Sequence, residues 1–137
     1  MKELHIAATV ENIEKVTDFV NEQLEGLNCP VKARMQIDIA IDELFGNIAH
    51  YAYKPDVGDA TVRVEVVESP LSVIITFIDG GVPYDPLTAA DPDTTLSAEE
   101  RAIGGLGIFM VRKSMDEITY RYENGSNILS IRKNLRS

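Results

Sequence analysis

The sequence predicts an α+β fold, a two-layer α/β sandwich in which a mixed, mostly antiparallel sheet is covered by helices on one face. Three observations support it. Apolar residues recur at helical spacing through residues 31–53, several short segments alternate apolar and polar residues as strands do, and Asn124-Gly125 is a strong hairpin signal. The predicted order is strand, helix, helix, strand, strand, loop, helix, strand, strand.

The first half of the chain contains one predicted strand and two helices. Alternation in LHIAAT predicts a strand ending near Thr9, and helical spacing follows from Val10 to Leu27. Asn28-Cys29-Pro30 ends this helix, and a central helix then extends to about Tyr53. We expect the central helix to bury seven apolar residues: Ile37, Ala40, Ile41, Leu44, Phe45, Ile48 and Ala52.

The second half contains four predicted strands, a long loop and a helix. Strands are predicted at 60–68 and 71–78, and the second is apolar on both faces, as a central strand would be. The loop at about 80–104 is rich in Gly, Pro, Asp and Thr, which is typical of a lid. A helix at 108–115 and a terminal hairpin complete the chain.

Length and composition indicate a single domain, residues 1–137, that buries its own core. The formal net charge of −9 opposes sequence-independent binding to nucleic acid or to anionic membranes. The single cysteine, Cys29, forms no intrachain disulfide, and no apolar run is long enough for a membrane span. We therefore expect a cytoplasmic protein.

Three polar residues of the central helix are candidates for a functional site. Glu43, Asn47 and His50 are spaced so that their side chains follow one stripe of a helix and could meet one ligand. Gly46 between them weakens a helix by about 1 kcal/mol relative to Ala, which suggests that a nucleotide or its metal approaches the backbone there. The ordinary alternative is a solvated polar face with no chemistry.

Two glycine-containing motifs add to these candidates. Asp79-Gly80-Gly81 follows a buried strand, where a carboxylate can accept a hydrogen bond from an exocyclic amine such as adenine N6. Gly104-Gly105-Leu106-Gly107 precedes a helix, where backbone N–H groups can hold phosphate oxygens. Taken singly, the first motif is also a common turn and the second a common hinge.

Together these motifs resemble a known family. The set Glu43-x-x-x-Asn47, Asp79-x-Gly81 and Gly104-Gly105-Leu106-Gly107 resembles the N, G1 and G2 boxes of the Bergerat-fold (GHKL) ATPases. The runs ELFGNIAHYAY and DGGVPYDP look most like the anti-sigma-factor serine/threonine kinases of that superfamily. The resemblance covers essentially the whole chain and implies ATP and Mg²⁺ as cofactors.

The resemblance also implies a role for each matching residue. Asn47 would coordinate Mg²⁺, and Glu43 would be the general base on the attacking hydroxyl. Asp79 would bind the adenine amine, and Gly81 would permit its approach.

The remaining nucleotide contacts come from the glycine run and the lid. Gly104, Gly105, Leu106 and Gly107 would bind the nucleotide, with Gly105 and Gly107 against the phosphates. Arg101 is a candidate contact of the γ-phosphate, and His50 is expected to support the helix or the lid.

The resemblance implies a function and leaves two alternatives. The implied function is an ATP-dependent kinase that phosphorylates a STAS-type anti-anti-sigma partner and sequesters a sigma factor. One alternative is a non-catalytic, ATP-gated binding module, which the presence of Glu43 disfavours. The other is a histidine-kinase catalytic domain, which is disfavoured because no phospho-acceptor helix precedes residue 1. Relatives of this kind are often homodimers, but no interface is evident from the sequence.

Overall fold

A computed structural model of the chain describes residues 1–53, 55–68, 70–88 and 105–135. Within these ranges, five strands and three α-helices form two layers, as the sequence predicts. The strands are β1 Lys2–Ala7, β2 Asp59–Val67, β3 Ser72–Asp79, β4 Glu117–Glu123 and β5 Ser126–Asn134. The helices are α1 Ile13–Leu24, α2 Val31–Asn47 and α3 Gly105–Ser114. Shorter elements are the 3₁₀ turns Val10–Asn12 and Pro86–Thr88 and the π-helical turn Ile48–Ala52.

The sheet has the strand order β1-β2-β3-β5-β4, and every pairing of these five strands is antiparallel. The sequence analysis predicts a mixed sheet. Among these five strands no parallel pair occurs, which corrects that part of the prediction. Asn124 and Gly125 both have positive φ, 53° and 78°, which is the conformation that a two-residue hairpin requires between β4 and β5. The predicted terminal hairpin is therefore confirmed.

Helix α2 is the centre of the core. Ile37, Ala40, Ile41 and Phe45 are fully buried, and α2 packs against both α1 and α3. One face of the sheet supplies the opposite wall of the core through alternate residues such as Val62, Ile75, Phe77 and Ile131. This burial fixes the positions from which α2 presents its polar residues.

Helix boundaries differ from the prediction: α1 begins at Ile13 rather than Val10, and α3 spans Gly105–Ser114 rather than 108–115. Helix α1 ends at Leu24 rather than Leu27, because the backbone of Glu25 is extended, with ψ of 137°. Gly26 follows with a φ of 80° in a turn that the hydrogen bond from Leu27 N–H to Leu24 O closes. The central helix does extend close to Tyr53, but after Asn47 it widens into the π-helical turn.

Gly46 does not serve the role that the sequence suggests. It is buried, and a Cβ added there would lie 3.9 Å from Ile13 Cδ1, an ordinary van der Waals distance. The glycine thus faces α1 in the core.

The described start of the predicted lid is bonded to the body of the domain. The N–H of Val82 donates to Ala52 O at 2.9 Å, and that of Tyr84 donates to Asn127 Oδ1 on β5 at 3.1 Å. The rest of the predicted lid, 89–104, lies outside the described residues. No helix within the described ranges has the length and apolar character needed to cross a membrane.

Candidate functional site

Asp79, the last residue of β3, is a carboxylate held in a buried position. It is 5% exposed, and its Oδ1 accepts hydrogen bonds from the N–H of Gly81 and from Asn127 Nδ2, both at 2.9 Å. Oδ2 has no hydrogen-bond partner among the described residues. Oδ2 is not among the buried side-chain atoms that lack a partner, so solvent reaches it and it is the oxygen of this carboxylate that is available to a ligand.

Asn127, on β5, is a site residue that the sequence analysis missed. Its Nδ2 donates to Asp79 and, at 2.8 Å, to Val82 O. Its Oδ1 accepts from the N–H of Tyr84 and from the hydroxyl of Tyr120. Burial raises the pKa of the Tyr120 hydroxyl, which therefore keeps its proton and donates it. The sequence signal was a polar residue on the same face of the strand as the apolar Leu129 and Ile131.

Asp79 and Asn127 lie in a pocket between the end of α2 and the sheet. The pocket encloses about 470 Å³ of space, including its opening to solvent. Its walls are mainly apolar and aromatic, as is typical of sites for planar organic ligands. The lining residues are Leu44, Asn47, Ile48, Tyr51, Ala52, Phe77, Asp79, Val82, Tyr84, Pro86, Tyr120, Asn127 and Leu129.

Asn47, at the end of α2, borders this pocket with an unpaired amide. Its Nδ2 is buried and has no hydrogen-bond partner in the described part of the chain. Amide nitrogen and oxygen are assigned from their partners, so the orphaned atom is equally suited to be the oxygen. An oxygen ligand of this kind fits Mg²⁺, which proteins commonly hold through one or two side chains plus substrate phosphates. The described residues contain no group of three or more His, Cys, Asp or Glu that could hold a metal by itself.

Glu43, one helical turn before Asn47, lies against α3 rather than in the pocket. A Cβ added to Gly107 would fall well inside van der Waals contact with the Glu43 carboxylate, so the two residues are direct neighbours. Desolvation raises the pKa of Glu43, and the nearby charge of Asp42 raises it further. A carboxyl group with a raised pKa is a better base than an ordinary glutamate.

Gly81 is required by the protein's own backbone. A Cβ at this position would fall well inside van der Waals contact with Ala52 O, to which the next residue, Val82, donates a hydrogen bond. Tyr53 braces the same loop, since its hydroxyl accepts from the N–H of Gly80 at 2.7 Å and donates to Asp59 O at 2.6 Å. The close approach that the sequence suggests is therefore present, but the π-helical turn makes it.

His50 does not join the other polar residues of the helix. It is exposed on the π-helical turn, with its ring 5.9 Å from that of Tyr51, and it does not line the pocket. The 3.6-residue repeat from which the stripe of Glu43, Asn47 and His50 was predicted does not continue through the π-helical turn.

The glycine run is described only in part. Gly105 begins α3, with Leu106 and Gly107 in the same first turn. Arg101 and Gly104, also predicted to contact the nucleotide, lie outside the described residues.

Comparisons with known proteins agree with this architecture. A family model described as a histidine kinase-like ATPase domain matches residues 6–133. The serine-protein kinase RsbW of Bacillus cereus is 30% identical over 95 residues, a match that covers 66% of this chain and 58% of the relative.

Solved structures show the same fold. The structure of the RsbU and RsbW domains of a Mycobacterium tuberculosis protein aligns with a TM-score of 0.64 and 17% identity, covering 100% of this chain and 34% of that one. The SiaB–SiaC complex of Pseudomonas aeruginosa aligns with a TM-score of 0.62 and 18% identity, covering 97% and 89%. The predicted α+β sandwich is thus confirmed.

The position of Gly81 predicts a difference between two neighbouring substitutions. Gly81→Ala forces its Cβ onto a backbone carbonyl and is expected to lower the free energy of unfolding by about 1–3 kcal/mol, as overpacking does. Gly80→Ala is the control, because its Cβ would lie 3.5 Å from the Tyr53 hydroxyl, an ordinary contact. Urea unfolding without nucleotide measures both. Equal stability of the two variants would contradict the close approach to Ala52.

Proposed function

Because the chain belongs to the histidine kinase-like ATPase family, we propose that it is an ATP-dependent protein serine/threonine kinase that acts as an anti-sigma factor. Its substrate would be a serine of a STAS-type anti-anti-sigma protein, and its second partner a sigma factor that it sequesters. The similarity to RsbW, named a serine-protein kinase, supports this proposal. The match spans 58% of that relative's length, so activity and partners are proposed for this chain.

The observation that carries the proposal is the unpaired Oδ2 of Asp79 in an aromatic and apolar pocket. An exocyclic amine such as adenine N6 supplies the hydrogen-bond donor that this oxygen lacks. The apolar and aromatic walls suit a purine ring, and the donors on Oδ1 keep the free oxygen in one orientation.

The phosphates would extend from the pocket toward Asn47 and the start of α3. Backbone N–H groups in the first turn of a helix attract anions, and α3 begins with glycine. Mg²⁺, when bound, would neutralise charge on the phosphates. Asn47 is the side chain that would hold it.

Glu43 would be the general base that takes the proton from the attacking serine hydroxyl. Phosphoryl transfer requires positioning, charge stabilisation and one group that orients the nucleophile. The position of Glu43 against α3 and its raised pKa support this role.

ATP with Mg²⁺ is expected to stabilise the protein through Asp79. At a ligand concentration a hundred times the dissociation constant, linkage adds about 2.7 kcal/mol to the free energy of unfolding. In Asp79→Asn the two donors on Oδ1 retain the amide oxygen, so the NH₂ group faces the adenine amine and most of this gain is lost. Thermal melts with and without ATP–Mg²⁺ measure it. If ATP–Mg²⁺ stabilises the unsubstituted protein and Asp79→Asn equally, Asp79 does not bind the adenine ring.

Two substitutions in α2 separate transfer from binding. Glu43→Gln is expected to bind ATP normally and to lower the transfer rate by about 10²–10⁴-fold, the usual contribution of a general base. Asn47→Ala removes the proposed metal ligand and is expected to weaken ATP binding and to lower the rate of phosphate transfer. The assay is labelled phosphate transfer to a STAS protein encoded beside this gene. If the unsubstituted chain transfers nothing while ATP changes its affinity for that protein, the ATP-gated binding module is the correct function.

The transfer rate is expected to fall on the acid side at a higher pH than an ordinary glutamate would give. A general base acts when deprotonated, so the rate is full above the pKa of Glu43 and declines as the pH falls through it. Because desolvation raises that pKa, the midpoint of the decline lies above the usual glutamate value of about 4.3. A rate profile at saturating ATP measures it. An acid limb that persists in the residual activity of Glu43→Gln would assign this titration to another group.

A further inference from the structure

Because Gly107 has no side chain, the carboxylate of Glu43 can lie directly against it. Among the described glycines, Gly58 abuts the ring of Tyr53 and Gly81 abuts backbone, whereas Gly107 abuts a carboxylate. A Cβ on Gly107 would overlap the position of that carboxylate. The carboxylate therefore occupies space that exists only because residue 107 has no side chain.

The two helices that carry these residues cannot move apart to make room. Ile108 and Val111 bury α3 in the core with 0% and 1% exposure. On α2, Leu44 and Phe45 flank the glutamate and are buried at 4% and 0%. An added methyl group at 107 is therefore relieved by rotation of the flexible Glu43 side chain and not by movement of either backbone.

We propose that Gly107 is a positioning residue that keeps the Glu43 carboxylate in place for phosphoryl transfer. This inference rests on the proposed kinase function and gives Gly107 a role distinct from a phosphate contact. The two roles affect different quantities. A lost phosphate contact weakens ATP binding, whereas a displaced base lowers kcat and leaves ATP binding unchanged.

The test is Gly107→Ala, with Gly46→Ala as the matched control. Both place alanine in a helix, but the control meets only Ile13 Cδ1 at 3.9 Å. Gly107→Ala is expected to keep the wild-type melting temperature and ATP dissociation constant and to lower kcat on the order of 10²-fold, as small misplacements of reacting groups do. Gly46→Ala is expected to transfer at the wild-type rate.

A double substitution tests whether the effect passes through Glu43. In the Glu43→Gln background the base is already absent, so Gly107→Ala is expected to lower the residual rate no further. An undiminished kcat in Gly107→Ala, a weakened ATP affinity that accounts for its whole defect, or an equal loss in the Glu43→Gln background would each overturn the inference. Absence of transfer by the unsubstituted chain would overturn the proposed kinase function and this inference with it. If the unsubstituted protein and Gly107→Ala instead transfer phosphate at equal rates, only the inference about Gly107 is overturned.

Discussion

The pair of hydrogen bonds on Asp79 Oδ1 joins the segments that form the pocket. One comes from Gly81, in the loop that is pinned to the π-helical turn, and the other from Asn127 on the neighbouring strand. A buried carboxylate is costly unless donors surround it, so the loop and β5 are both constrained by the same charge. The shape of the pocket and the orientation of its free oxygen are therefore set together. Neither could change without the other.

The sequence was a good guide wherever structure follows from local pattern. Apolar spacing predicted α2 and its buried face, and the Asn124-Gly125 pair predicted the last hairpin with its positive φ values. The π-helical turn could not be predicted, because the residues Ile48–Ala52 also fit an α-helical pattern. Its geometry depends on contacts with the loop after β3, which lies far away in sequence.

The sequence predicted which residues form the candidate site, but not which groups contact those residues. Sequence patterns place glycines where something approaches closely, and at Gly81 and Gly107 something does. In both cases the approaching group belongs to this chain, the backbone of Ala52 and the carboxylate of Glu43 respectively. Asn127 escaped prediction for a related reason, since a single polar residue in a strand gives no sign of its partners. All of these are tertiary contacts, and no periodicity in one segment encodes them.

The distribution of charge indicates that the adenine ring and the phosphates would be bound by different parts of the site. The described residues that line the pocket include one carboxylate and no lysine or arginine, which suits a neutral purine and not a triphosphate. With a formal net charge of −9, the chain offers no general attraction for phosphates, so the charge of a bound triphosphate would have to be met locally, by the start of α3 and by a metal ion. Asn47 borders the pocket and Glu43 borders α3, and four residues of helix separate them by about 6 Å along the axis. Because α2 is fixed in the core, this one helix sets the distance between the side chain that would hold Mg²⁺ and the side chain that would take the proton from the serine hydroxyl.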